Sequence, residues 1–310
     1  MTIACVFPGQ GSQSVGMLAA LAAAYPEVEE TFAAASQALD YDLWRLSQQG
    51  PETELNRTDK TQPAMLTAGV AVWRVWQRRN GAQPAFVAGH SLGEYTALVC
   101  AGAMDLQAAV CLVAERGRYM QEAVPPGQGA MAAILGLADG QVSAACDQGA
   151  QGEVVAAVNF NSPGQVVIAG HHGAVARAME IAKQLGAKRA LPLPVSVPSH
   201  CSLMGPAAER LARYLRDVEI HPPRIPVFNN VDVALSETPE TIRDALVRQL
   251  VSPVRWVEII QAMARKGVRC VVECGPGKVL VGLNKRIDRD MAALPVQDPA
   301  TLDEALTASA

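Results

Sequence analysis

The pentapeptide Gly89-His90-Ser91-Leu92-Gly93 sits between a short apolar run, Ala85-Phe86-Val87-Ala88, and a helix-forming stretch that ends near Gly102. A G-x-S-x-G turn in that setting needs a strand, a sharp reversal and a helix within a few residues. Turns of this kind occur in α/β folds whose sheet is parallel. The flanking chain agrees with that constraint. Ile3 to Phe7 reads as a strand, Met17 to Leu39 and Gln62 to Asn80 as helices, and Ala85 to Ala88 as the strand before the turn. Leu106 to Ala123 reads as a further helix and Arg269 to Glu273 as a late strand. The tail offers a short strand, Ala293 to Val296, and a capped helix starting near Asp298.

The stretch from Gly127 to Val195 has a different rhythm. Ala130 to Leu135 reads as a strand and Asp139 to Cys146 as a helix that Asp139 caps. Val154 to Phe160 and Gln165 to Ala169 are strands around the turn Asn161-Ser162-Pro163-Gly164. Gly173 to Leu185 is a helix and Lys188 to Leu193 a strand. The β-α-β-β-α-β order is ferredoxin-like. The expected architecture is therefore an α/β core with a parallel sheet, residues 1–126 and 197–310, interrupted by a ferredoxin-like α+β subdomain, residues 127–196.

Composition narrows the function classes. The chain has 310 residues, half of them hydrophobic, which is ample for a large core. Its net charge is −4, with scattered basic residues, so nucleic acid and anionic membranes are not expected partners. No apolar run approaches the roughly 18 residues that span a bilayer. The first residues lack a basic leader and break at Pro8-Gly9, so no signal peptide is expected. The seven cysteines contain no C-x-x-C pair and fall mostly in apolar segments. They read as reduced core residues of a cytoplasmic protein. No metal-ligand spacing is visible, and no metal or resident cofactor is expected.

Ser91 is the candidate nucleophile. The elbow glycines allow the tight turn, and the helix start offers free N–H groups to a developing oxyanion. A serine at its free pKa needs a base. Of five histidines, His90 adjoins Ser91 and points away from it, while His171, His172 and His221 occupy turns or loops. His200, in the proline-restrained segment Val197-Pro198-Ser199-His200-Cys201, is favoured, although the residues alone leave the others open. Arg116 sits in a helix, where an arginine is ordinarily solvated. Two phosphate-loop readings fail. Gly9-Gln10-Gly11 has Ser14 where the dinucleotide pattern needs glycine, and its acidic partners Glu29 and Glu30 lie within a helix. Gly275-Pro276-Gly277-Lys278 lacks the first glycine, with Val272 there, and has Val279 in place of Ser or Thr.

Taken together, Phe7-Pro8-Gly9-Gln10-Gly11-Ser12-Gln13, Gly89-His90-Ser91-Leu92-Gly93-Glu94-Tyr95, Arg116-Gly117, Asn161-Ser162-Pro163-Gly164-Gln165, Pro198-Ser199-His200, Gln249-Leu250 and Gly275-Pro276-Gly277 stand in one order. In that order they resemble the malonyl-CoA:acyl carrier protein transacylases and the acyltransferase domains of fatty-acid and polyketide synthases. The resemblance implies Ser91 as nucleophile and His200 as base, with the N–H groups of Gln10 and Leu92 as an oxyanion hole. It implies that Arg116 pairs with the malonyl carboxylate, and that the Gln249 side-chain oxygen accepts the imidazole N–H. With a neutral acceptor there, His200 should titrate near an ordinary 6 to 7. The implied partners are malonyl-CoA and acyl carrier protein, the implied state is a monomer, and the implied architecture is a hydrolase-like α/β core with a ferredoxin-like insertion. By charge alone, Lys188, Arg189, Lys285 and Arg286 offer cations to an acidic partner, although lysines and arginines on solvated faces ordinarily serve none. A serine esterase or thioesterase shares the elbow but needs a carboxylate between serine and histidine, for which Asp139 and Asp147 are available.

Overall fold

Ten strands and the helices between them define the computed structural model, which describes residues 1–195 and 197–309. The strands are β1 (Ile3–Phe7), β2 (Phe86–Gly89), β3 (Gly129–Leu135), β4 (Val155–Ser162), β5 (Gln165–His171), β6 (Arg189–Pro192), β7 (Val227–Phe228), β8 (Leu235–Ser236), β9 (Cys270–Cys274) and β10 (Ala292–Val296). The larger sheet has the order β10-β9-β1-β2-β7-β8, parallel except for the β7–β8 hairpin. Its centre, Ile3-Ala4-Cys5-Val6-Phe7, is buried on both faces, so it reads as an unbroken apolar run. Alternation still assigns the faces. Ile3, Cys5 and Phe7 pack with helices Thr58–Arg78, Gly93–Cys100 and Leu106–Ala123. Ala4 and Val6 pack with Trp256–Arg265 and Val279–Ile287.

The smaller sheet is antiparallel, with the order β4-β5-β3-β6. Ala132, Ile134, Val166 and Ile168 face helices Asp139–Ala150 and His172–Gln184. Met131, Val167 and Ala169 face the other way and pack on Cys201. That contact braces the loop carrying His200. A second link runs through β4, whose register shifts at Ala157/Asn159. There Phe160 N–H donates to Val254 O at 3.0 Å, and Val254 N–H to Val158 O at 2.8 Å. The cleft between the two sheets holds the site described below. The expected division at 196 falls on a residue outside those described.

Local expectations shifted in three places. The Met17 to Leu39 helix is two helices, Ala19–Ala24 and Glu27–Leu39, because Pro26 forces Tyr25 into extended backbone (φ −137°, ψ 110°). The Gln62 to Asn80 helix begins earlier, at Thr58, so Pro63 lies inside it rather than at its start. Burial of nearly every residue in that helix overrides the proline's preference for a first turn. Asp139 does not cap its helix. It is the first helical residue after Ala138, where its charge faces the positive end of the dipole, and the helix runs on to Ala150. The tail helix, Pro299–Ser309, is capped as expected, with Thr301 N–H donating to Asp298 Oδ1 at 2.8 Å.

Candidate active site

The elbow is held by packing that only glycine permits. A Cβ on Gly89 would sit 1.8 Å from the Gly93 carbonyl carbon, and one on Gly93 would sit 2.1 Å from Phe7 O. The strand end, the helix start and the neighbouring strand β1 therefore touch backbone to backbone. Ser91 itself is left-handed (φ 53°), a conformation that costs about 1–3 kcal/mol for a non-glycine residue. Its peptide groups are gripped in return. Ser91 N–H donates to Asn230 Oδ1 at 2.7 Å, and Ser91 O accepts from Gln249 Nε2 at 3.0 Å.

His200 reaches Ser91 from the loop after β6. Its Nε2 lies 2.7 Å from Ser91 Oγ, and its Nδ1 lies 2.8 Å from the Gln249 main-chain carbonyl. A carbonyl only accepts, so Nδ1 carries the proton and Nε2 is free to accept the serine hydroxyl's. The acceptor differs from the expectation: it is the main-chain oxygen of Gln249, not Oε1. The Gln249 side chain is committed elsewhere, with Oε1 accepting from Arg116 Nη2 at 2.9 Å and Nε2 donating to Glu94 Oε2 at 2.8 Å. Among the described residues no carboxylate is bonded to the imidazole. Asp139 is on a small-sheet helix, so the Ser-Asp-His arrangement of a hydrolase is not assembled there.

Arg116 is not solvated; it is 1% exposed. Helix Leu106–Ala123 packs against helix Thr58–Arg78, which brings the guanidinium under the serine. Nη1 donates to Gln62 Oε1 at 2.8 Å, Nη2 lies 3.4 Å from Ser91 Oγ, and the Nε–H is buried without a partner. Its acceptors are two neutral amides and the Ser91 hydroxyl, so no carboxylate is bonded to it directly among the described residues. The charge reaches His200. Burial first, and Arg116 second, push the imidazole down to about 3 instead of the expected 6 to 7. The neutral, proton-accepting form therefore persists as pH falls well below the ordinary range. We expect ¹⁵N shifts of His200 to report a neutral ring from pH about 8 down to about 5. A transition centred between 6 and 7 would contradict this.

Ser91, His200, Arg116, Gln10 and Leu92 line one cavity of ≈ 130 Å³. The main-chain N–H groups of Gln10 and Leu92 donate to no acceptor among the described residues. Leu92 begins a helix, where such free N–H groups are expected. A wider cavity of ≈ 570 Å³ adjoins it, lined by the Gly9 to Gln13 loop, Asn161, Gln165 and Leu280. Three of the other four histidines have partners away from Ser91 Oγ. His90 Nε2 is 2.7 Å from Asn161 Oδ1, His171 Nδ1 accepts from Val154 N–H, and His221 lies beside Glu219. No cluster of metal-binding side chains occurs among the described residues. Lys188, Arg189, Lys285 and Arg286 are exposed, and Arg286 reaches Gln165 at 2.7 Å.

Three site residues were given no role in the sequence reading: Gln62, Glu94, which was quoted only within the elbow motif, and Asn230. Glu94 left a trace, as the one charged residue in the otherwise uncharged helix Gly93–Cys100. Gln62 and Asn230 left none, because their partners are 54 and 139 positions away.

The acyl transferase domain family matches residues 4–296. The malonyl CoA-acyl carrier protein transacylase of Salmonella typhimurium is 60% identical over 304 residues, covering 98% of each chain. The solved malonyl CoA-acyl carrier protein transacylase of Coxiella burnetii is 51% identical, with a TM-score of 0.99 over 100% of this chain and 98% of that one. A malonyl-transacylase solved in complex with a type II polyketide synthase acyl-carrier protein is 57% identical, with a TM-score of 0.98 over 99% of this chain and 100% of that one.

Proposed function

This chain belongs to the acyl transferase family, and from that premise we infer that it moves the malonyl group from malonyl-CoA to the phosphopantetheine thiol of an acyl carrier protein. The observation that carries the reading is the convergence on one oxygen: Ser91 Oγ is 2.7 Å from the base nitrogen and 3.4 Å from a buried guanidinium with no carboxylate bonded to it among the described residues.

Ser91 Oγ attacks the thioester carbonyl while its proton passes to His200 Nε2. The Gln10 and Leu92 N–H groups take the oxyanion charge, a contribution on the order of 3 kcal/mol for each such donor. The tetrahedral intermediate collapses, the C–S bond breaks, and the imidazolium returns its proton to the departing coenzyme A sulfur. A malonyl-serine ester remains. In the second half the carrier thiol gives its proton to His200 and attacks the ester, and Ser91 leaves with that proton. Gln249 O holds the imidazole in the required tautomer throughout. No resident cofactor takes part; coenzyme A and phosphopantetheine enter with the substrates.

Arg116 supports a carboxylated acyl group. A salt-bridged arginine would have to lose a carboxylate to gain one, whereas Arg116 exchanges only neutral amide contacts. The exposed cations Lys188, Arg189, Lys285 and Arg286 suit an acidic carrier. We assign residues 1–126 and 197–310 to the catalytic core and 127–196 to the unit that closes the cleft. The seven cysteines are unpaired, which supports a reducing, cytoplasmic setting, and the working unit is read as a monomer. No helix among the described residues is long and apolar enough to cross a membrane.

The test is steady-state transfer with both substrates varied. A ping-pong enzyme gives parallel double-reciprocal lines and forms malonyl-carrier. A hydrolase would release malonate at the same rate with or without carrier.

A further inference from the structure

Beneath Ser91 lies a buried carboxylate that the mechanism above does not use. Glu94 is 1% exposed, on helix Gly93–Cys100. A carboxylate is costly in such a place unless it is hydrogen-bonded. Its Oε2 accepts from Gln249 Nε2 at 2.8 Å and from Asn230 N–H at 3.0 Å. Both donors also hold the reacting groups. Gln249 Nε2 bonds Ser91 O, Gln249 Oε1 holds Arg116, and the Gln249 main chain orients His200. Asn230 Oδ1 takes Ser91 N–H, and Asn230 Nδ2 donates to Gly89 O at 2.7 Å. One carboxylate oxygen thus joins nucleophile, base and guanidinium.

The charge of that oxygen matters for a geometric reason. A primary amide is nearly symmetric in shape, so the Gln249 side chain can flip end for end unless its surroundings distinguish O from NH₂. Glu94 offers only acceptors on one side and Arg116 only donors on the other. A neutral group at position 94 that could itself donate would admit the flipped amide. That flip turns NH₂ toward Arg116 and removes the donor from Ser91 O.

We propose that Glu94 is a positioning residue for acyl transfer, its carboxylate locking the Gln249 amide and the Asn230 main chain so that Ser91, His200 and Arg116 stay in reacting geometry. The proposal rests on the acyl-transfer reading above. The charged and titratable groups facing Glu94 are Arg116 from helix Leu106–Ala123, Asp232 from the β7–β8 hairpin, and Tyr95 beside it on its own helix. Burial outweighs the two N–H donors and Arg116, and pushes the carboxyl up to about 7. Above that pH the acceptor is an anion; below it, a weaker neutral one. The rate should fall as pH drops through about 7.

The experiment is single-turnover malonylation of Ser91 by malonyl-CoA, followed by rapid quench between pH about 5.5 and 8.5, in wild type, Glu94→Gln and Glu94→Asp. Glu94→Gln should be slower by about tenfold at high pH and flat with pH, with the wild type converging on it at low pH. Glu94→Asp, which keeps the charge, should recover part of the loss. A purely structural role would lower the rate equally at every pH and leave the limb in Glu94→Gln. That limb, or an unchanged rate in Glu94→Gln, overturns the proposal. Should Glu94→Gln not fold, a wild-type profile without a limb near 7 overturns it equally. A wild type that forms no Ser91 adduct at any pH overturns the acyl-transfer reading and the proposal together, whereas an adduct in wild type that is insensitive to Glu94→Gln overturns the proposal alone.

Discussion

Ser91→Ala should lower malonyl transfer by roughly 10⁴- to 10⁶-fold, the range seen when a nucleophile that works with its base as a unit is removed. The loss should be chemical rather than conformational. The contacts that fix the elbow go to main-chain atoms: Asn230 Oδ1 to Ser91 N–H, Gln249 Nε2 to Ser91 O, and Asn230 Nδ2 to Gly89 O. Alanine keeps all three. The left-handed backbone at 91 is already strained with serine, and alanine adds no bulk. What disappears is the hydroxyl between His200 Nε2 and Arg116 Nη2. Thermal unfolding should shift by only a few degrees, since one hydrogen bond is worth about 1 kcal/mol net. A variant that keeps more than a few per cent of the transfer rate would remove Ser91 from the nucleophile's role.

Arg116→Ala should cost malonyl transfer roughly 10²- to 10³-fold in kcat/KM, while acetyl transfer holds or rises. A desolvated charge pair lost from one side costs about 2–5 kcal/mol, at 1.4 kcal/mol per tenfold. Arg116 is buried, and no carboxylate is hydrogen-bonded to it among the described residues, so an incoming malonyl carboxylate would be its first directly bonded anion. Acetyl has no carboxylate and loses no such contact. Removing the cation would also relieve the second of the influences that hold His200 down, raising its basicity. Arg116→Lys should rescue little, because one ammonium cannot span Gln62 and Gln249 as the planar fork does. Equal slowing of malonyl and acetyl would make Arg116 a structural residue and undercut the assignment of malonyl.

How much of this was legible beforehand follows from the range of each interaction. The elbow was legible because its five residues are contiguous: Gly89 answers the backbone of Gly93 and Glu94 within one turn, although Gly93 answers Phe7 on the neighbouring strand. The β-α-β-β-α-β unit was legible because alternation and turn residues mark each element, and helix Leu106–Ala123 kept its expected ends. The Met17 to Leu39 break was written in Pro26 but hidden by the alanine-rich, helix-forming run on either side. The two-residue strands β7 and β8 carry too few residues to show a period, yet their hairpin supplies Asn230. Gln249 marks the boundary most clearly. Motif resemblance located the residue, but which of its two oxygens meets His200 depends on Arg116 and Glu94 competing for the side chain. That competition spans 133 and 155 positions of chain. Likewise, the low pKa of His200 comes from burial and from Arg116, which no spacing near His200 encodes.

The central claim is a covalent malonyl-serine intermediate at Ser91, and intact-protein mass spectrometry after brief exposure to malonyl-CoA tests it most directly. The account predicts a mass increase of one malonyl group, mapped to the peptide carrying Ser91, stable until holo carrier protein is added and then discharged to the carrier. An unmodified protein, or an adduct on any other residue that discharges to the carrier at the full rate of transfer, would contradict it.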